Sequence, residues 1–365
     1  MASNKIRVGI IGVQPDRSWA AIAHIPALQA LPDYEITAVS TTRQESADAA
    51  AARYGIARAF NNHQALVNSP DVDVVAVTVK VPHHKELVLA ALNAGKHVYC
   101  EWPLGNGLAE AEEMAALAKA KGLRGIIGLQ ARMAPPVVYA RDLIAQGYIG
   151  DVLSTSLLGT GMAWGEYVDA PNAYTADLKN GATMLTIPVS HTLDALCHVL
   201  GEVREVSGLL ANRRNSQIQV ETGAVLPMTA PDQVALTATL ESGAVLSAHY
   251  IGGMTKGTGL LWEINGARGD LRFSAAGGHA QIFDLTLEGA NAEAPAMQPL
   301  PVPESYYHSP LRQGPAVNVA EVYAQLARDL REGTSLCADF SHAVRRHLMV
   351  AAIERSAASG ARQTV

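Results

Sequence analysis

An alternation of strand and helix patterns constrains this chain more than any other feature. Ile6 to Ile11 is a near-continuous β-branched run that stops at Gly12, the pattern of a parallel strand buried on both faces. A polar loop then leads into a helical pattern containing Trp19, Ile22, Ile25 and Leu28. Tyr34–Ser40 is a second strand pattern, Gln44–Tyr54 an Ala-rich helix, Asp73–Val79 a third strand, and His83–Ala94 a helix closed by Gly95. His97–Cys100, the helix Leu108–Lys121 and the strand Arg124–Leu129 continue the series. Strands alternating with helices of this length predict a doubly wound parallel sheet.

The series pivots on Lys96 to Gly105. Its short apolar strand ends abruptly on a carboxylate, an aromatic, a proline and a glycine: Glu101, Trp102, Pro103 and Gly105. In an open α/β sheet such a loop sits at the carboxyl ends of the strands, where ligands bind. It is expected to be the seam between a cofactor-binding half and a substrate-binding half.

Beyond a helix over Pro136–Gln146 the style changes. Asp151–Leu158 reads as a strand and Met184–Leu200 as a helix. Strands follow over Val203–Asn212, Gln233–Glu241, Ala244–Ile251, Leu260–Gly266 and Asp270–Ser274, parted by Gly-rich turns, as in an open antiparallel sheet. Glu288–Pro303, rich in Ala and Pro, reads as a loose loop, and two helices, Ala316–Arg331 and Ser341–Ala358, finish the chain. The expected fold class is α/β followed by α+β. The expected division is residues 1–130 and residues 131–365, with the C-terminal helices able to pack back on the first domain.

The chain's 365 residues suit two cores rather than one. A net charge of -6 and the lack of a Lys/Arg cluster argue against direct binding of nucleic acid. The 3 cysteines, Cys100, Cys197 and Cys337, lie far apart and fit neither a disulfide framework nor a metal spacing, so no metal is expected. No signal peptide and no bilayer-length apolar run is seen, which predicts a cytoplasmic protein with no membrane partner.

A strand running into Gly12, a loop and a helix start is the arrangement that holds a pyrophosphate on backbone N–H groups and the helix dipole. The glycine fingerprint is poor: Gln14 stands where a second glycine would go, and Arg17–Ser18 where a third would. A sheet without a nucleotide and a dinucleotide site are equal readings of this loop alone. Ser40-Thr41-Thr42-Arg43 ends the second strand with hydroxyls and a guanidinium in place of a ribose-binding acid, which favours NADP over NAD if a dinucleotide binds. The plainer reading is that Arg43 is a solvated loop charge.

The residues converge on a family. Gly9-Ile10-Ile11-Gly12, His24-Ile25-Pro26-Ala27-Leu28, His84-Lys85-Glu86-Leu87, Gly95-Lys96-His97-Val98, Glu101-Trp102-Pro103-Leu104 and His191-Thr192-Leu193-Asp194 together resemble the glucose–fructose oxidoreductase / inositol dehydrogenase family. Within it the chain looks most like the galactose-pathway repressor-like branch, with Glu-Trp-Pro in place of Glu-Lys-Pro. The resemblance implies an N-terminal Rossmann domain binding NAD(P), a C-terminal sheet that builds a sugar or polyol site, and a homodimer or homotetramer formed through that sheet. The implied cofactor set is Gly12, Gln14, Arg17, Ser18, Trp19, Ser40, Thr41, Thr42, Arg43, Val79, Lys80, Val81, His84, Glu101, Trp102, Pro103 and Gln130.

Catalytic members carry a lysine where this chain has Trp102 and an aspartate where it has Ile187, so only His191 and Asp194 remain of that set. Oxidising an alcohol by hydride transfer needs a base of suitable pKa within reach of the hydroxyl. His191 qualifies, with an ordinary pKa of about 6.5. Asp194 lies three residues on, on the same helix face, as substrate ligand or ring orienter; the plain alternative is a buried structural pair. Lys80, at the end of the third strand, is a second candidate base if desolvation lowers its pKa. Its alternative is a solvated lysine or a phosphate ligand.

Trp164, Tyr167 and Tyr174 fall in a segment dense in aromatics and carboxylates, the composition of a sugar-binding surface, and Trp102 could join them. The substrate set is therefore Trp102, Arg132, Trp164, Tyr167, Tyr174, His191 and Asp194. Two functions stay open: an NAD(P)-dependent oxidoreductase acting on a sugar-like or cyclic hydroxyl or carbonyl compound, and a non-catalytic NAD(P)-binding sensor or transcriptional regulator.

Overall fold

The computed structural model describes residues 5–15 and 17–365. The chain divides into two compact units, Met1–Gln130 with Tyr307–Arg345, and Ala131–Tyr306 with Arg346–Val365. Residues 307–345 group with the first unit, and the remainder of 131–365 makes up the second.

In the first unit β1 (Ile6–Ile11), β2 (Tyr34–Ser40), β3 (Arg58–Phe60), β4 (Val74–Val77), β5 (His97–Glu101) and β6 (Gly125–Gly128) form a parallel sheet in the order β3-β2-β1-β4-β5-β6. Its helices are α1 (Ile25–Ala30), α2 (Gln44–Tyr54), α3 (His63–Val67), α4 (His84–Asn93) and α5 (Leu108–Ala120). The central strands bury both faces, which is why their sequences do not alternate. Val8, Ile10, Val74, Val75 and Val77 are all fully buried, each stabilising the fold by roughly 1.5–3 kcal/mol. The strand order reverses between β1 and β4, and the crevice at that switch point is where such sheets take a dinucleotide.

In the second unit α6 (Pro135–Ala145) precedes β7 (Val152–Gly161) and β8 (Tyr167–Val168), and α7 (Ser190–Leu200) follows. Then come β9 (Val203–Ala211), β10 (Ser216–Gln219), β11 (Val225–Pro227), β12 (Gln233–Leu240) and β13 (Val245–Gly252). They continue through β14 (Leu260–Gly266), β15 (Gly269–Ala275), β16 (Thr286–Asn291), β17 (Gln298–Pro299) and β18 (Gln363–Thr364). Among the described residues these form one large sheet, β17-β16-β15-β14-β7-β13-β12-β9-β18, and a small one, β11-β10-β8. The large sheet departs from the antiparallel expectation in one place: β7 and β13 pair in parallel, the chain passing through α7 and, within this sheet, β9 and β12 before it returns. Glu288–Pro303 is also not a plain loop, since it carries most of β16 and all of β17, which pair through Gly289 and Gln298. Burial alternates along β12 and β13, so one face packs and the other stays open.

The packed face receives α7, fastened where the Tyr250 hydroxyl donates to Thr192 Oγ1 at 2.8 Å. The helix expected over Met184–Leu200 is two pieces. Leu185–Val189 winds as a π-helix around Pro188, which has no N–H to give the regular ladder, and only then does α7 begin. Two long helices close the chain, α8 (Pro315–Glu332) in the first unit and α9 (Phe340–Ser359), divided between the two. Among the described residues no helix is long and apolar enough to cross a membrane, and the three cysteines are free and buried.

Candidate functional site

In the first unit a cleft of about 620 Å³ opens over the carboxyl end of β1. Gly12 forms its floor with φ of +103°, and a Cβ there would meet Val79 Cγ1 at 2.6 Å, so only glycine fits. The loop that follows is closed by Ser18, whose hydroxyl donates to the Gln14 carbonyl at 2.9 Å and accepts from the Gln14 N–H at 3.0 Å. That side-chain staple stands where the glycine fingerprint is lacking. At the other end, the Thr41 and Ser46 hydroxyls both hold the Arg43 carbonyl, at 2.8 and 2.9 Å, leaving the Arg43 side chain exposed at the start of α2.

Of the expected cofactor residues, Gly12, Gln14, Ser40, Thr41, Thr42, Arg43 and Val79 line this cleft. Arg17, Ser18, Trp19, Lys80, Val81, His84, Glu101, Trp102, Pro103 and Gln130 do not. The cleft also uses Asn61, Asn62, His63 and Glu86, which sequence reasoning missed. The first three follow β3, a three-residue strand with no hydrophobic pattern; the adjacent Asn61-Asn62 pair was the one turn signal there.

The Glu-Trp-Pro loop is held from within the first unit. Both Glu101 oxygens accept from Gln130 Nε2, Oε1 at 2.9 Å and Oε2 at 2.7 Å, and Oε1 lies 2.8 Å from His24 Nε2. His24 Nδ1 lies 2.9 Å from the Tyr323 hydroxyl, so a ring protonated on Nε2 satisfies both neighbours. Gly128 leaves the space: a Cβ there would meet Glu101 Oε1 at 2.6 Å. Trp102 is only 4% exposed, so its ring is no open stacking platform. Lys80 is exposed at the end of the segment that follows β4.

In the second unit His191 is buried, and its Nδ1 finds no hydrogen-bond partner among the described residues. Burial lowers its pKa to about 3, with Asp194 opposing and His279 adding to the shift. The expected base of pKa about 6.5 is thus a neutral imidazole with one open nitrogen. Asp194 is fully buried and lies 3.1 Å from Arg132 Nη1 and 2.9 Å from Arg346 Nε. Asp194 and Arg132, expected to bind substrate, instead bind each other. Arg346 also holds Glu202, and Arg132 Nη2 reaches His198 Nδ1 at 2.9 Å.

The aromatic segment disperses. Trp164 is a core residue, 1% exposed, donating to the Thr175 carbonyl at 3.2 Å and stacked near His279. Tyr167 points to solvent from the small sheet, and burial pushes the Tyr174 hydroxyl up to about 12.

Comparison with known proteins matches this division. Residues 6–129 fit the model of the oxidoreductase family with an NAD-binding Rossmann fold, and residues 135–275 that of the Gal80p C-terminal domain. The galactose/lactose metabolism regulatory protein GAL80 of Saccharomyces cerevisiae is 31% identical over 306 residues, covering 77% of this chain and 69% of that one. The chain belongs to the Gfo/Idh/MocA oxidoreductase family. It is also 41% identical over 207 residues to the dehydrogenase aclE of Aspergillus oryzae, covering 55% of this chain and 56% of that one, so the match spans little more than half of that relative. The crystal structure of a super-repressor mutant of Gal80p from Saccharomyces cerevisiae superposes with a TM-score of 0.89 at 26% identity, covering 99% of this chain and 98% of that one. Within the Gfo/Idh/MocA family the chain therefore lies near the Gal80-like branch, among both dehydrogenases and regulators.

Proposed function

We propose that this member of the family is an NAD(P)-dependent oxidoreductase, favouring NADP, that acts on a sugar-like or cyclic hydroxyl or carbonyl compound. The observation that carries the reading is the Gly12 cleft, whose β2 end offers Ser40, Thr41, Thr42 and Arg43 and no carboxylate. The missing Cβ at Gly12 lets the turn close against Val79 beside the place a pyrophosphate would take, and the Arg43 guanidinium suits a 2′-phosphate. Bound there, the nicotinamide supplies a hydride acceptor or donor.

The chain's own residues bind and orient. The turn from Gly12 to Gln14 borders the phosphates, with the Gly12 and Gln14 N–H groups already given to the Ser40 carbonyl and the Ser18 hydroxyl, and Arg43 and the neighbouring hydroxyls select the adenosine end. His191, neutral at ordinary pH, accepts a hydrogen bond from a substrate hydroxyl at Nδ1. The open face of the large sheet, with Leu158 and Leu209 exposed, supports assembly as a homodimer or homotetramer through that sheet.

A second reading, a non-catalytic dinucleotide sensor of the Gal80 type, is favoured by one observation. Burial lowers the pKa of His191 far below the working range of a general base, and Trp102 and Ile187 provide no substitute. Fluorescence titration with NADP(H) and NAD(H), followed by nicotinamide absorbance as keto-sugars, polyols and glycosides are added, separates the two. Binding with an absorbance change for any compound supports the enzyme. Binding without one across the panel supports the sensor, and absence of binding removes both.

A further inference from the structure

The His84 imidazole is buried, 1% exposed, at the first residue of α4. Its Nδ1 lies 2.8 Å from the Pro103 carbonyl and its Nε2 3.0 Å from the Val79 carbonyl. Both ring nitrogens face backbone carbonyls, and His84 does not line the cleft, so the direct cofactor contact its place in the family pattern implied is replaced by contacts to two loops. The two carbonyls belong to different loops. One follows β4, the other follows β5, and both leave the carboxyl edge of the sheet.

The topology says what those loops face. With the order β3-β2-β1-β4-β5-β6, the dinucleotide crosses at the β1–β4 switch. The adenosine side belongs to β2, where Ser40 to Arg43 stand, so the other half lies over β4 and β5. Val79 also closes over Gly12, which couples the first loop to the pyrophosphate turn.

We propose that His84 is a positioning residue for the nicotinamide half of the dinucleotide, tying the loop after β4 to the loop after β5 and so fixing the surface on which that half rests. Carbonyls only accept, and a neutral imidazole has one N–H; the ring bonds one loop when neutral and both when protonated. Burial, the largest influence, lowers its pKa against the Val79 and Pro103 carbonyls, the Glu101 carboxylate on β5 and the Leu104 backbone, so the neutral ring donates to one carbonyl and holds the other loop by packing. The inference rests on the dinucleotide reading of the cleft.

The test compares NADP+ with 2′-phospho-ADP-ribose, the same molecule without its nicotinamide, by calorimetric titration of the wild type and of His84→Asn and His84→Gln. The expected result is that His84→Asn weakens NADP+ about tenfold, the factor one lost buried hydrogen bond gives, with the fragment unchanged. His84→Gln, which keeps an N–H of similar reach, recovers part of the loss. Equal weakening of both ligands, or no change in either, overturns the proposal. Binding of neither ligand to the wild type removes the dinucleotide reading and this inference with it. In 15N-histidine-labelled wild type, His84 imidazole signals that move with NADP+ but not with the fragment support the proposal without any substitution, and signals that move with neither overturn it.

Discussion

The Asp194 carboxylate lies 2.9 Å from Arg346 Nε, and both side chains are shut away from solvent. Arg132 Nη1 reaches the same oxygen, Oδ1, at 3.1 Å. Taking a carboxylate and a guanidinium out of water costs several kcal/mol each, which only close pairing offsets. The pair is therefore committed to itself within the second unit, and His191, one helical turn earlier, is a buried polar group whose Nδ1 has an open position.

Removing one partner strands the other. Asp194→Ala is expected to destabilise the protein by about 3–5 kcal/mol, the usual cost of leaving a buried charge uncompensated. Urea denaturation measures it. A substrate ligand would behave differently: stability would hold and only the KM would rise, and that outcome would return Asp194 to the binding site.

Acid should destabilise the fold through its buried imidazoles. Burial lowers His191 to about 3 and His279 and His347 to about 4, all below the ordinary 6.5. The unfolded chain thus binds more protons than the folded one between roughly pH 6.5 and 3, so stability is full above that window and falls as pH drops through it. Each histidine contributes up to about 1.4 kcal/mol per pH unit there. Denaturant titrations at pH 7 and pH 5 should show the loss, and His191→Asn should reduce its slope by about one proton. An unchanged slope would mean that His191 is solvated.

The Gly12 turn should tolerate no side chain. Gly12→Ala meets both the +103° φ and the Val79 methyl, so dinucleotide affinity should fall by tenfold or more. The double variant Gly12→Ala, Val79→Ala relieves the clash and leaves the backbone strain, and is expected to recover only part of the binding. Full recovery would show that space alone selects glycine there.

What the sequence made legible follows from range. The strands Ile6–Ile11 and Tyr34–Ser40 and the helix Gln44–Tyr54 fall where their patterns placed them, because each pattern is written within one element. β3 escaped because three residues with Arg58 at their head show no periodicity. β16 and β17 escaped because their pairing is with each other and with β15, and nothing in an Ala- and Pro-rich stretch announces a partner. The same limit shaped the site. Helical spacing set Asp194 near His191, but no local pattern could say that Arg346 on α9 would claim the carboxylate. Burial, which turned Trp164 into core and moved His191 away from 6.5, is a property of the assembled sheet and not of the segment.

Cofactor choice offers the sharpest test of the β2 end. The backbone of Arg43 is fixed by the Thr41 and Ser46 hydroxyls, so its guanidinium can change without disturbing the turn. Arg43→Asp replaces a cation with the carboxylate that holds an unphosphorylated ribose. A charge-assisted bond to a 2′-phosphate is worth about 1.5–3 kcal/mol, so NADP affinity should fall at least tenfold while NAD affinity holds or rises. The ratio of the two dissociation constants reads this directly, and it should also lose most of its salt dependence, since the attraction that salt screens is gone. A ratio that does not move would mean that Arg43 is a solvated charge and that the hydroxyls alone set the preference.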